Sequence, residues 1–112
     1  MLESLFKIEE VKNERIKEHS KFVVAVNQLD DVYTPYLFIS DRVSYVEFDG
    51  LTTINAKLEN YIVRFRTIRI EVVDGETGKV LEKKHGKLAL LGYDGKKFVA
   101  VVLMRENPLK NS

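Results

Sequence analysis

Apolar residues in most of this chain fall in short runs separated by turn-forming residues, a pattern that predicts strands joined by tight reversals. Phe22-Val-Val-Ala-Val26 is apolar on both alternating faces and predicts a central strand covered on both sides. Asn27 to Pro35 reads as a loop, because proline disfavours a helical residue before it and cannot donate to a ladder. Tyr36–Ile39 and Val43–Phe48 predict two further strands, and Asp49-Gly50 a hairpin. Over 51–60, Leu51, Ile54, Leu58 and Tyr61 keep helical spacing while Thr52, Thr53 and Ile54 favour a strand. The hairpin signal before them tips the choice to strand.

From Tyr61 to Met104 the pattern predicts three long strands, Tyr61–Val73, one after the turn Asp74–Lys79, and Phe98–Met104 after Asp94-Gly95. The first contains a phase break. Tyr61, Val63 and Phe65 are its apolar members at first, then Ile68, Ile70 and Val72, which places a bulge or sharp coil near Thr67. Residues 2–19 alternate charge densely, while Leu2, Leu5, Phe6, Ile8 and Ile16 share about half of a helical circumference. A helix over residues 1–20 follows, with a short strand at Leu5–Val11 as the alternative. Glu10, Glu14 and Glu18 repel along that helix, so it needs the rest of the domain to hold it.

Together these elements predict an α+β, mainly β fold in one domain spanning 1–112. An N-terminal helix packs on a strongly bent antiparallel sheet of six to seven strands, barrel-like or sandwich-like, and 106–112 form a loose tail. Strands apolar on both faces require either a sheet that curls on itself or a second subunit as cover.

Composition narrows the functions. The 112 residues are 45% hydrophobic, enough for one core, and the absence of cysteine excludes a disulfide framework, a thiolate metal site and a cysteine nucleophile. The N-terminus lacks the basic start and apolar stretch of a signal peptide, and no apolar run is long enough to span a bilayer as a helix, so a cytoplasmic location with no membrane partner is expected. Abundant Lys and Glu with a single glutamine, Gln28, drift toward the composition of proteins from hot environments, a drift that six asparagines oppose. The net charge of +1 conceals a split. Residues 1–50 carry six Lys/Arg against ten Asp/Glu, a net of −4, and the remainder twelve against seven, a net of +5. Such halves can attract each other within the fold or across a dimer, or mark a basic binding face.

No motif identifies a reaction. Gly75-Glu-Thr-Gly-Lys79 has too few residues between its glycines for a phosphate loop and is followed by a strand, so it reads as a turn. His19 reads as the end of the N-terminal helix and His85 as a solvated turn residue, and no serine sits at a nucleophile elbow. Asp30, Asp31, Asp41, Glu47 and Asp49 lack metal-ligand spacing and read as loop carboxylates. No catalytic residue, cofactor or metal site is expected.

Two surfaces remain as candidates. Arg64, Arg66 and Arg69 interleave with Tyr61 and Phe65, and Lys79, Lys83, Lys84, Lys87, Lys96 and Lys97 crowd the adjoining hairpins. On a curved sheet, Arg64, Arg66, Arg69, Lys83, Lys84 and Lys97 could track a phosphate backbone while Tyr61 or Tyr93 stacks on bases. Lys96-Lys-Phe-Val-Ala-Val101 lacks the glycine and aromatic spacing of an RNA-recognition motif. Tyr33, beside an acidic loop, is the candidate anchor for a protein partner, whereas Tyr36 and Phe38 read as core. The expected function is a non-enzymatic binding or assembly module, self-associating through apolar sheet surface and charge-complementary halves into a homo-oligomer. The alternative is a small nucleic-acid-binding barrel that uses the basic and aromatic face.

Overall fold

The computed structural model describes residues 1–11, 33–50 and 52–105. The expected strand Phe22–Val26, the helix beyond Val11 with His19, the carboxylates Asp30 and Asp31, and the tail 106–112 lie outside the described residues.

A single turn of helix, α1 (Leu2–Leu5), precedes eight strands: β1 (Lys7–Glu10), β2 (Thr34–Ser40), β3 (Val43–Asp49), β4 (Thr53–Leu58), β5 (Tyr61–Phe65), β6 (Arg69–Asp74), β7 (Val80–Tyr93) and β8 (Phe98–Met104). All pair antiparallel, in the order β1-β2-β8-β7-β6-β5-β4-β3. The mainly β class and the presence of an N-terminal helix agree with the sequence reading, but the helix is a single turn. The strand number exceeds six to seven, and the sheet is not closed into a barrel, since no ladder joins β1 to β3 among the described residues.

The bend lies in β7. Its first half, Val80–His85, pairs with β6, and its second half, Gly86–Tyr93, pairs with β8. One long strand therefore serves two leaves, β1-β2-β8-β7 and β7-β6-β5-β4-β3. Their inner faces share one core, in which Phe38 and Phe98 of the first leaf meet Phe65, Val63, Leu58 and Ile70 of the second. The Phe65 and Phe98 rings stack at 5.6 Å, and Phe6 tilts against Phe98 at 5.6 Å. The joint is closely packed at Gly86, where a Cβ would lie 2.9 Å from Val102 Cγ1 and 3.2 Å from Met104 Cγ, so that a larger residue obliges those side chains to shift. The open side is bridged near its end, where the Tyr93 hydroxyl lies 2.9 Å from the Ser44 carbonyl oxygen and 3.3 Å from that of Val43.

Two expected elements are corrected. The predicted helix 1–20 stops at Phe6, whose backbone is extended, and residues 7–10 form an edge strand against β2. Phe6 and Ile8 alternate with exposed Lys7, so the strand phase buries both, and ladder bonds to β2 replace a helix that its own glutamates would have opposed. Leu2 and Leu5 of α1 are buried in the core, and Glu82 accepts a hydrogen bond from the Leu2 amide at 3.0 Å. The long strand 61–73 is a hairpin: the Arg66 amide donates to the Arg69 carbonyl at 2.8 Å, and β5 turns back as β6. The phase break near Thr67 is thus a chain reversal, with Val63 opposite Val72 and Phe65 opposite Ile70, all inward.

Candidate functional site: the outer face of the second leaf

Strand register builds this face row by row. Glu47 of β3, Asn55 of β4, Arg64 of β5, Glu71 of β6 and Lys83 of β7 lie directly opposite one another in sequence across the leaf. Glu47, Asn55, Arg64 and Glu71 are each one position out of phase with an inward apolar residue, and Lys83 lies opposite Glu71, so all project outward. Asn55 links the row, receiving a hydrogen bond from Arg64 Nε at 3.3 Å and donating to Glu47 at 3.4 Å. Beside it a second row sets Arg69 opposite His85. Arg66 stands at the turn between β5 and β6.

Three arginines converge on one carboxylate. Glu71 has a side chain only 5% exposed, with Arg64 at 3.9 Å, Arg66 at 3.7 Å and Arg69 at 3.6 Å. These separations exceed hydrogen-bond range, and Arg69 Nε and Glu71 Oε1 are buried without a hydrogen-bond partner. A buried carboxylate demands a cation, and here it has three, all part-exposed, so positive charge remains on the surface after pairing. Exposed Lys83, His85 and Lys87 along β7 add to it.

Two adjoining hollows meet at the end of the second leaf, where the 66–68 turn meets the start of β4, the second of them on the inner side, since Phe48 lies opposite Ile54 and Ile54 opposite Phe65. One, of about 300 Å³, is lined by Arg66, Arg69, His85 and Ile68, and the other, of about 260 Å³, by Phe48, Ile54, Leu88 and Lys87. Thr52, Arg66 and Thr67 belong to both. Phe48 is 72% exposed and Ile68 57%, the two most exposed large apolar side chains among the described residues.

The structure brings together only part of the set expected from sequence. Arg64, Arg66, Arg69 and Lys83 share the outer face. Lys84 lies opposite Ile70 and so points to the inner side, and Lys97 sits at the far end of β7, beside a separate cleft of about 760 Å³ that Lys7, Leu5 and Ile39 also line. Tyr61 packs against the core, and Tyr93 does too, its hydroxyl engaged at β3, so neither stands on the basic face as a stacking platform. Tyr33 is half-buried with the Arg105 guanidinium 5.2 Å over its ring, while Tyr36 and Phe38 are core residues. His85 is not a turn residue but lies within β7 opposite Arg69. The residues missed were Phe48, Thr52 and Ile68. Nothing local marks Phe48 as exposed, since Val73 and Tyr93 also stand directly before an Asp-Gly pair and are buried or packed on the core.

Asp74 and Asp94 cap the two glycine turns of β7. Each carboxylate accepts two backbone N–H bonds, from Thr77 and Glu76 and from Lys97 and Lys96, which lower both acids below the usual aspartate range. Among the described residues no group of three His, Asp or Glu side chains is placed to hold a metal, and no helix is long and apolar enough to cross a membrane. No family model, curated protein or solved structure matches this chain.

Proposed function

We propose that this chain is a non-enzymatic binding module whose working surface is the arginine-bearing outer face of the second leaf, and that its partner is a single-stranded nucleic acid. The observation that carries this reading is the convergence of Arg64, Arg66 and Arg69 on one acid, Glu71, among the described residues, which leaves cations in excess on a rigid sheet. A sheet holds them at strand spacing, so a flexible phosphate backbone can lie along the row while its counterions are released. The test is fluorescence anisotropy with a labelled mixed-sequence single strand over a range of salt. Affinity falls steeply with salt, and each of Arg66→Gln and Lys83→Gln lowers the slope of log K against log salt by about 0.7. Folded variants with an unchanged slope would remove these residues from the interface.

Self-association is the second reading, and one observation favours it. Among the described residues β3 is an edge strand of seven residues without lysine or proline to guard it, and Tyr45 on it is exposed. The apolar outer positions Leu37 and Val101 give it less support, since both are fully buried within the single chain. Light scattering at high protein concentration decides: a dimer that Tyr45→Lys dissolves supports pairing through β3, and a monomer at every concentration ends it.

A further inference from the structure

We propose that the two hollows at the end of the second leaf form one site for a nucleoside monophosphate, a phosphomonoester carried on a flat base, taken from the end of a strand or as a free nucleotide. This deepens the nucleic-acid reading and rests on it for the strand-end source.

The hollows divide the ligand's chemistry between them. In the first, Arg66 and Arg69 offer guanidinium N–H groups and His85 a ring nitrogen, with the Thr52 and Thr67 hydroxyls beside them. Neither guanidinium is used up by Glu71, which stays 3.7 Å from Arg66 and 3.6 Å from Arg69, and both arginine side chains are part-exposed. A terminal phosphate carries more charge than an internal diester, so paired guanidiniums favour it over the strand interior. In the second hollow the exposed Phe48 ring offers a stacking platform, Ile54 and Leu88 an apolar wall, and Lys87 a cation at the rim. Arg66, Thr52 and Thr67 border both, so phosphate and base can be held at once. Volumes of about 300 and 260 Å³ are at the lower end for ligand pockets and suit one nucleotide rather than a longer segment.

The experiment compares short single strands carrying a 5′-phosphate, a 3′-phosphate or no terminal phosphate, and adenosine monophosphate, against the full chain and its His85→Gln and Phe48→Ala variants. Both substituted side chains are exposed, and circular dichroism confirms that the variants fold. One terminal phosphate is expected to tighten strand binding about tenfold, or about 1.4 kcal/mol, with His85→Gln removing that preference and Phe48→Ala weakening binding of every ligand. Strands that bind equally well with or without a terminal phosphate overturn this inference and leave the proposed function standing. Adenosine monophosphate bound with the same variant effects, while no strand binds, supports the site with the free nucleotide as its ligand and removes the polymer reading. Binding of neither strands nor nucleotide ends both.

Discussion

The two leaves share one core yet differ on their outer faces. On the first leaf Leu37 of β2 and Val101 of β8 point away from the main core and are still fully buried, with Leu90, Val11, Ile39 and Val99 around them. On the second leaf the outward residues opposite one another are Glu47, Asn55, Arg64, Glu71 and Lys83. One outer face is spent on packing, where a charge has no partner. The other gathers three arginines around one buried acid, strand beside strand, and keeps cations in reach of solvent. The proposed function therefore falls on the leaf whose outer face stability does not need to cover.

The sharpest way to break this contrast is to place a carboxylate on each outer face. Leu37→Asp puts an unpaired charge where no solvent reaches, and is expected to cost about 4 kcal/mol or to unfold the chain outright. Arg64→Asp, at a side chain one-third exposed, is expected to cost far less and to act mainly on strand binding. Urea denaturation of both variants checks the pair. Equal losses would mean that the two faces are not energetically distinct.

Glu71 tests whether the charged face is held together by its one buried acid. Glu71→Ala leaves three guanidiniums repelling one another, and breaking such a pairing is expected to cost about 2–3 kcal/mol, tempered by the exposure of the arginines. Strand affinity should rise or hold at low salt, because a negative charge has been removed beside the phosphates. Lost stability together with lost binding in a folded variant would instead make Glu71 the residue that positions the arginines.

Legibility in the sequence followed turn chemistry. The reversals at Asp49-Gly50, Asp74–Lys79 and Asp94-Gly95 were all readable, since aspartate side chains bond the backbone ahead and glycine accepts positive φ, as Gly50, Gly78 and Gly95 do. The reversal through Arg66, Thr67 and Ile68 contains none of the turn-forming residues, so it read as a flaw in one strand. Glu59, at φ 51, turns the chain between β4 and β5 in a conformation that glycine or asparagine usually takes. The arginine cluster was visible as a sequence group, but its anchor was not. Glu71 sits among Ile70, Val72 and Val73 in sequence, and only the register of β5 on β6 brings it opposite Arg64. Tyr93 was misplaced for a related reason: nothing local reveals that the open side of the sheet needs a hydroxyl to bridge it.

Gly86 joins the two faces and so sharpens the comparison from the hinge. Gly86→Ala forces Val102 and Met104 of the first leaf, and Ile70 of the second at 3.4 Å, to give way together. The expected cost is about 1–2 kcal/mol, the range for a mild overpacking, and strand binding should weaken in the same variant because Arg69 and His85 lie just before the joint. Stability lost without any change in binding would show that the second leaf keeps its geometry independently of the bend.

The smallest effect compares the leaves at their turns, one in each: Asp74 between β6 and β7, Asp94 between β7 and β8. Each acid is lowered in the folded chain chiefly by two backbone N–H bonds, bonds that the unfolded chain lacks. The folded chain thus holds these protons less tightly than the unfolded chain does. The stability that each contributes is fully present above the unfolded aspartate value of about 3.9 and is lost as pH falls through the lower folded value. Asp74→Asn and Asp94→Asn should therefore each lower the melting temperature slightly at pH 7, where that contribution is present, change little in strong acid, and so flatten the acid limb of the profile below about pH 4. The outer faces play no part in either turn, so the two variants should flatten it equally. A larger effect at Asp94 would point to the additional pull of Lys96, the one nearby cation that acts on Asp94 and has no counterpart at Asp74.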